Sequence, residues 1–255
     1  MRAGAPAAMA TRKKPATAKA RMKHARIETQ DGVLEGEYDD GTVRTDEGTY
    51  EPTEYELLAP CEPSAFYCVG RNFGEKVEQM DYEVPEKPDF FIKPPVSLHA
   101  PETPIPYPSF TSELTYAGEL AAVIGTECKN VSEEDVDDVV RGYTILNDLD
   151  CLDQERRTAR KAFDSSGPLG PVIADIEPVG VEMTTHINGE RRQEDNTENM
   201  FNKPRETISF LSERFTFEPG DVISFGSPAN PGLLERGDEI EIHYEGIGTL
   251  RNTVE

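Results

Sequence analysis

The sequence predicts a mainly β protein with helical insertions, of the α+β class. Three observations point there. Short apolar runs of strand length recur along the chain, bounded by Gly, Pro, Asn and Asp. One turn between them, Asn188-Gly189 in "HINGERRQ", carries the strongest short hairpin signal. Helical stretches are scattered among the strands without a βαβ rhythm or an internal repeat, which argues for one compact domain and against a doubly wound sheet.

The elements follow in chain order. Within 22–60, "GVLEGEY", the turn "DDG" and "TVRT" read as a small appended sheet. "SAFYCVG", 64–70, reads as a buried strand ending at Gly70, and a short helix follows at about 72–81. "DFFIKPP" is a further apolar strand. The proline-rich stretch 94–108 must be a pinned, extended loop. "ELTYAGELAAVIG" and "YTILNDLD" read as strands. Between them lies a helix in "SEEDVDDVVRG", with Ser132 as N-cap and acids in its first turn. "CLDQERRTARKAF" reads as an amphipathic helix, as does "RETISFLSERFTF" with its apolar stripe. "EPGDVISFG" and "GDEIEIHYEGIG" close the series as strands. No glycine-rich phosphate loop and no catalytic-triad signature occurs.

The chain has 255 residues and a formal charge of −23. The first 26 residues hold eight basic side chains and no acid, so 18 basic face 49 acidic side chains beyond them. Lysines there are few: Lys76, Lys87, Lys93, Lys129, Lys161 and Lys203. A field of that sign repels nucleic acid and anionic membranes. Regular apolar strands argue against disorder, so the carboxylates read as a solubilising surface. Such a surface suits a cytosol of high salt, as in a halophilic archaeon, where screening removes most of the self-repulsion. Cys61, Cys68, Cys128 and Cys151 show no close-paired metal spacing, so zinc is not expected and a reduced cytoplasmic setting is. No apolar run approaches the roughly 20 residues of a membrane helix. Residues 1–21 read as a disordered basic arm or a start-site artefact, without the apolar core of a secretory signal. Residues 22–63 read as a small N-terminal β region and 64–255 as the main domain.

The order of the pieces identifies a family. "YCVGRNFGEKVEQM", "FFIKP", "ELTYAGELAAVIG", "GYTILNDLD", "RKAFDSSGPLGP", "INGERRQ", "FEPGDVISFGSP" and "GDEIEIHYEGIGTL" together resemble the fumarylacetoacetate hydrolase family over about 64–255. The resemblance implies a mixed β-roll or β-sandwich fold, a homodimer, and a divalent cation, Mg²⁺ or Mn²⁺. That cation would polarise the carbonyl of a small 2-keto or 1,3-dicarbonyl acid for C–C hydrolysis, isomerisation or decarboxylation. The family's usual ligands are two Glu in a Glu-x-Glu strand and an Asp after Asn. Residues i and i+2 of a strand share a face, so such carboxylates can converge on one hard cation.

Glu119 matches the second Glu and Asp148 the Asp, but Ala117 stands where the first Glu is expected. Glu113 lies four residues before Ala117, about 13 Å along an extended strand, too far to substitute. Asp150, about 6–7 Å beyond Asp148, is the replacement candidate. The implied metal set is therefore Glu119, Asp148 and Asp150, a weakened site leaning on substrate oxygens. The family's His and Glu after Gly70 are replaced by Lys76 and Gln79. A lysine amid carboxylates is a poor base but can hold a substrate carboxylate; solvated surface is the plain alternative. His99 is a remote candidate base, while His186 and His243 read as strand positions.

Lys161 matches the family's active-site lysine, so Lys161 and Lys76 are the catalytic candidates. Arg71, Gly226 and Ser227 are the substrate-binding candidates, the last two in a turn matching the family's Gly-Thr-Pro. Glu155 replaces a usual Gln, Arg156 is an open anion contact, and Tyr107 and Phe73 read as packing. Without a base, decarboxylation or enol–keto isomerisation is favoured over hydrolysis. The alternative is a non-catalytic member: a keto-acid binding protein, or a structural subunit pairing with an intact homologue.

Overall fold

A computed structural model describes residues 22–255; the expected basic arm at 1–21 lies outside the described residues. Twelve strands form one large sheet. It runs from Thr49–Tyr50 through Thr42–Arg44, Gly32–Asp39, Lys23–Thr29 and Gly167–Ala174 to Val140–Asn147. It continues through Gly118–Ile124, Val222–Ser224 and Phe66–Gly70 to the edge strand Asp89–Lys93. Glu56–Leu57 and Leu98–His99 pair off this path. A second, antiparallel sheet of four strands holds Glu190–Asn196, Glu182–Ile187, Glu239–Tyr244 and Gly248–Thr253. Its Asn188-Gly189 turn has both residues at positive φ, 52° and 76°, as a tight hairpin requires. The mainly β expectation holds.

The strand Gly118–Ile124 is buried along its whole length, and its two faces serve two cores. Leu120, Ala122 and Ile124 join the larger core with Met183, Ile187, Ile240, Ile242 and Tyr244 of the four-stranded sheet. Ala121 and Val123 join Phe66, Cys68, Leu146 and Leu169 on the other side. This is the period of two expected of a strand, and it gives Glu119 the parity of Ala121 and Val123. Gly118 falls on the opposite face, where an added Cβ would lie 2.8 Å from both Ile242 Cγ2 and Thr185 Oγ1. Only glycine lets the two sheets approach there.

Three sequence expectations change. Lys23–Thr29 pairs with Gly167–Ala174, so the N-terminal strands extend the large sheet rather than forming one of their own. Its buried Ala25 and Ile27 require that cover. The helix expected from Ser132 is a 3₁₀ turn, Glu133–Asp135, and one α turn, Val136–Val139. The Ser132 hydroxyl bonds the Asp135 carboxylate at 2.6 Å instead of capping, and Val140 pairs with Ile124 as strand. The helix expected over 151–163 shrinks to Arg157–Lys161, because Cys151 pairs with Leu114.

Candidate functional site

Four segments end at the same edge of the large sheet. Gly118 pairs with Asn147 and Glu119 with Leu146, which sets Asp148 just beyond the strand end beside Glu119. Ala121 pairs with Ser224, so the loop after Ser224 reaches back over Glu119. Phe66–Gly70 lies parallel to Val222–Ser224 and delivers Arg71 and the short helix Gly74–Gln79. Asn72 ties these loops together, donating to the carbonyls of Asn202 (3.0 Å) and Phe225 (2.9 Å).

Glu119 is buried, with Oε2 accepting from the Ser224 hydroxyl at 2.6 Å and from the Gly226 N–H at 3.2 Å. Gly226 has φ +84° and stands so close to Asn72 and Val69 that a Cβ would meet both at 3.1 Å. Burial, reinforced by the Asp148 charge, pushes the Glu119 carboxyl up to about 7. Asp148 is also buried. Burial opposes its charge, but Lys161 and Lys93 outweigh burial and hold its carboxyl below the usual range. Lys161 donates to Asp148 Oδ2 and lies 3.4 Å from Asp150 Oδ2. Burial disfavours the Lys161 cation, yet the charges of Asp148 and Asp150 keep it firmly protonated. Lys93 is fully buried behind Asp148, its ammonium 2.7 Å from Oδ1 as an ion pair outside hydrogen-bond geometry. Its hydrogen bonds run to the carbonyls of Leu149 (3.2 Å) and Lys161 (2.6 Å).

Glu119, Asp148, Asp150 and Lys161 face a cavity of about 300 Å³, with Lys93 behind its wall. In a chain of charge −23, five cations line it: Arg71, Lys76, Arg157, Arg160 and Lys161. Four carboxylates, Glu119, Asp148, Asp150 and Glu155, offset them. Lys76 donates to the Ser227 hydroxyl. Burial, and next the Lys161 charge, lower its pKa. Asp89 fixes the rim, accepting two 2.8 Å bonds from Arg157 and standing 3.6 Å from Arg71 Nε. Arg71 also lies over the Tyr82 ring, and its φ of 55° is a left-handed conformation uncommon for a side chain of this size.

All eight sequence-stated candidates, Lys161, Lys76, Arg71, Gly226, Ser227, Glu119, Asp148 and Asp150, line this one cavity. Others lie elsewhere. Gln79 exchanges hydrogen bonds with Asn230 (3.0 and 2.9 Å) in a separate, wider depression. His99 sits against Thr103, 3.0 Å from its hydroxyl. His186 and His243 are in the four-stranded sheet, and Phe73 is core. Sequence reading missed Lys93, Arg157 and Arg160 as site residues. A lone lysine inside the apolar run "DFFIK" was the available signal for Lys93. Nothing local announced the arginines.

The donor set does not fit a tightly held dication. Ala117 brings only a methyl; its N–H donates to Asn147 Oδ1 at 3.1 Å and its carbonyl accepts from the Asp148 N–H at 2.9 Å. Both Asp148 oxygens face lysine ammonium groups. Asp150, expected as the replacement ligand, instead accepts two bonds from Arg160 at 2.8 and 2.6 Å. A bidentate guanidinium pair is among the strongest charge-assisted contacts, which is why this carboxylate is not free. Among the described residues no three His, Cys, Asp or Glu side chains converge to hold a metal ion.

Comparison with known proteins agrees with the fold and the motif order. The family model "Fumarylacetoacetate (FAA) hydrolase C-terminal" matches residues 65–255. An uncharacterized protein of Methanocaldococcus jannaschii is 38% identical over 76% of this chain and 84% of its own length. Oxaloacetate tautomerase YisK of Bacillus subtilis is 36% identical over 80% of this chain and 75% of its own length. The crystal structure of 2-hydroxyhepta-2,4-diene-1,7-dioate isomerase from Mycobacterium marinum superposes with a TM-score of 0.85 at 34% identity, covering 91% of this chain and 98% of that one. The chain belongs to the fumarylacetoacetate hydrolase family, whose enzymes include tautomerases, isomerases and hydrolases and commonly use divalent metals.

Proposed function

We propose that this protein interconverts the enol and keto forms of a small 2-keto dicarboxylic acid. The observation that carries the reading is the convergence of two lysine ammonium groups and a buried carboxyl, Glu119, on one cation-lined cavity. In the enol-to-keto direction the O–H bond on the C2 oxygen breaks, the C2–O bond becomes double, the C2=C3 double bond becomes single, and its electron pair takes a proton to form a C–H bond at C3. No oxidant or second substrate is needed. The enolate oxygen carries the developing charge, and fixed cations around it lower the barrier. Lys161, held cationic between Asp148 and Asp150, and Lys76, held on Ser227, meet that oxygen. Glu119, anchored through Oε2, carries the proton through its other oxygen. Arg71 and Arg157 at the rim receive the distal carboxylate. Oxaloacetate is the first substrate to try, since a relative bears that name.

Hydrolysis is disfavoured because the helix Gly74–Gln79 lacks the expected His and Glu that would activate water: Lys76 occupies the His position and Gln79 turns away to Asn230. Decarboxylation shares the enolate but breaks a C–C bond, so assays must separate the two. Loss of the enol absorbance of oxaloacetate, followed beside CO₂ release, tests the proposal. Wild type should speed enol loss without matching CO₂, and Lys161→Met and Glu119→Gln should each lower the rate about 10²–10³-fold. Enol loss at the buffer rate would instead favour a non-catalytic keto-acid binding protein.

A further inference from the structure

We infer that this cavity holds its keto acid without a divalent cation, the Lys76 ammonium supplying the positive charge opposite Glu119 and Asp148. The inference rests on the keto-acid reading above and goes beyond it in the chemistry of binding. Three observations carry it.

The first is charge. Relative to the Glu and His expected at positions 117 and 76, Ala117 removes a carboxylate and Lys76 adds an ammonium. Together these changes equal the charge of a divalent cation. The cavity's own cations already offset its carboxylates, so a resident dication would leave a large uncompensated positive charge in a partly buried site.

The second is placement. Lys76 is seated on Ser227, one residue beyond the Gly226 N–H that holds Glu119 Oε2. The same turn therefore fixes the ammonium and the carboxylate. Ser227 is buried, and Lys76 projects from the helix Gly74–Gln79, whose Val77 is also buried, so both ends of the contact are anchored.

The third is occupancy of the remaining oxygens. Lys93 is fully buried and bonded to two carbonyls, so it cannot swing away from Asp148. A dication could reach Asp148 only by displacing Lys161, and Asp150 only by displacing Arg160. Each displacement would strand a cation in the cavity.

Oxalate, which resembles the enolate of a 2-keto acid, is the probe. Calorimetric titration of oxalate into the full chain is run in EDTA and again with Mn²⁺. Electron paramagnetic resonance counts bound Mn²⁺ in parallel. The inference expects saturable oxalate binding in EDTA, changed less than about twofold by Mn²⁺, and no protein-bound Mn²⁺. Lys76→Met should weaken oxalate about tenfold or more, the loss of one charge-assisted contact. The pair of changes Ala117→Glu and Lys76→His should make oxalate binding depend on Mn²⁺. Oxalate binding that needs Mn²⁺ in the wild type would overturn the inference while leaving the keto-acid reading intact. No oxalate binding under either condition would overturn both.

Discussion

The Lys93 ammonium is fully buried against Asp148, itself 2% exposed. Removing Lys93 leaves the buried Asp148 charge with Lys161 as its remaining ammonium partner, and so less compensated. Lys93→Met should therefore lower stability by about 3–5 kcal/mol in chemical denaturation, and Asp148→Asn in the same chain should recover part of the loss. A loss near zero for Lys93→Met would show that Lys161 alone satisfies the Asp148 charge. Asp89 behaves differently because it is half-buried at the rim. The hydrogen bonds from Arg157 hold its carboxyl below the usual range, against a smaller opposing effect of burial. A depressed folded pKa contributes stability that is complete above the ordinary carboxylate value of about 3.9 and is lost as pH falls through the depressed value. Asp89→Asn should accordingly flatten the acid limb of the stability curve below about pH 4. An unchanged acid limb would mean that Arg157 and Asp89 are not paired in solution.

At the scale of elements, the strand Gly118–Ile124 organises both cores and the site. Gly118→Ala would drive a Cβ to 2.8 Å from Ile242 and Thr185 of the facing sheet. Overpacking of that kind costs about 1–3 kcal/mol, and the strand's shift would carry Glu119 with it. Lower stability together with weakened oxalate binding is the expected result; unaltered values for both would show that the sheets tolerate separation. Strands were legible from sequence because alternation and apolar runs report burial directly. Helices were less so. Charge and cap signals at Ser132 and the stripe in "CLDQERRTARKAF" were local, and strand pairing of Val140 and Cys151 overrode them. Likewise, Glu119, Asp148, Lys76 and Lys161 were legible because each stands inside a motif. Arg160 reaches Asp150 across ten residues and Arg157 reaches Asp89 across 68, pairings that only the fold creates.

For the whole molecule, chain order and sheet order part company. Lys23–Thr29 adds to Gly167–Ala174, a neighbour far away in sequence, and no local pattern encodes that choice. Surface charge is the property most legible from composition. At −23 the folded chain repels itself, so its thermal midpoint should climb steadily as KCl is raised through the molar range, where the Debye length falls to about 3 Å. A midpoint indifferent to salt would mean that the surface ion pairs, such as Arg205 with Asp137 and Glu177, already neutralise the field. Under the proposed function, the convergence of Lys76, Lys161 and Glu119 on one cavity is what would let this acidic molecule take up an anionic substrate. Its most direct test is proton exchange at carbon: oxaloacetate in D₂O, followed by proton NMR, with wild type and Lys161→Met. Wild type should load deuterium at C3 well ahead of buffer while the C4 carboxylate stays attached, and Lys161→Met should not. Exchange at the buffer rate with wild type would contradict the proposed function.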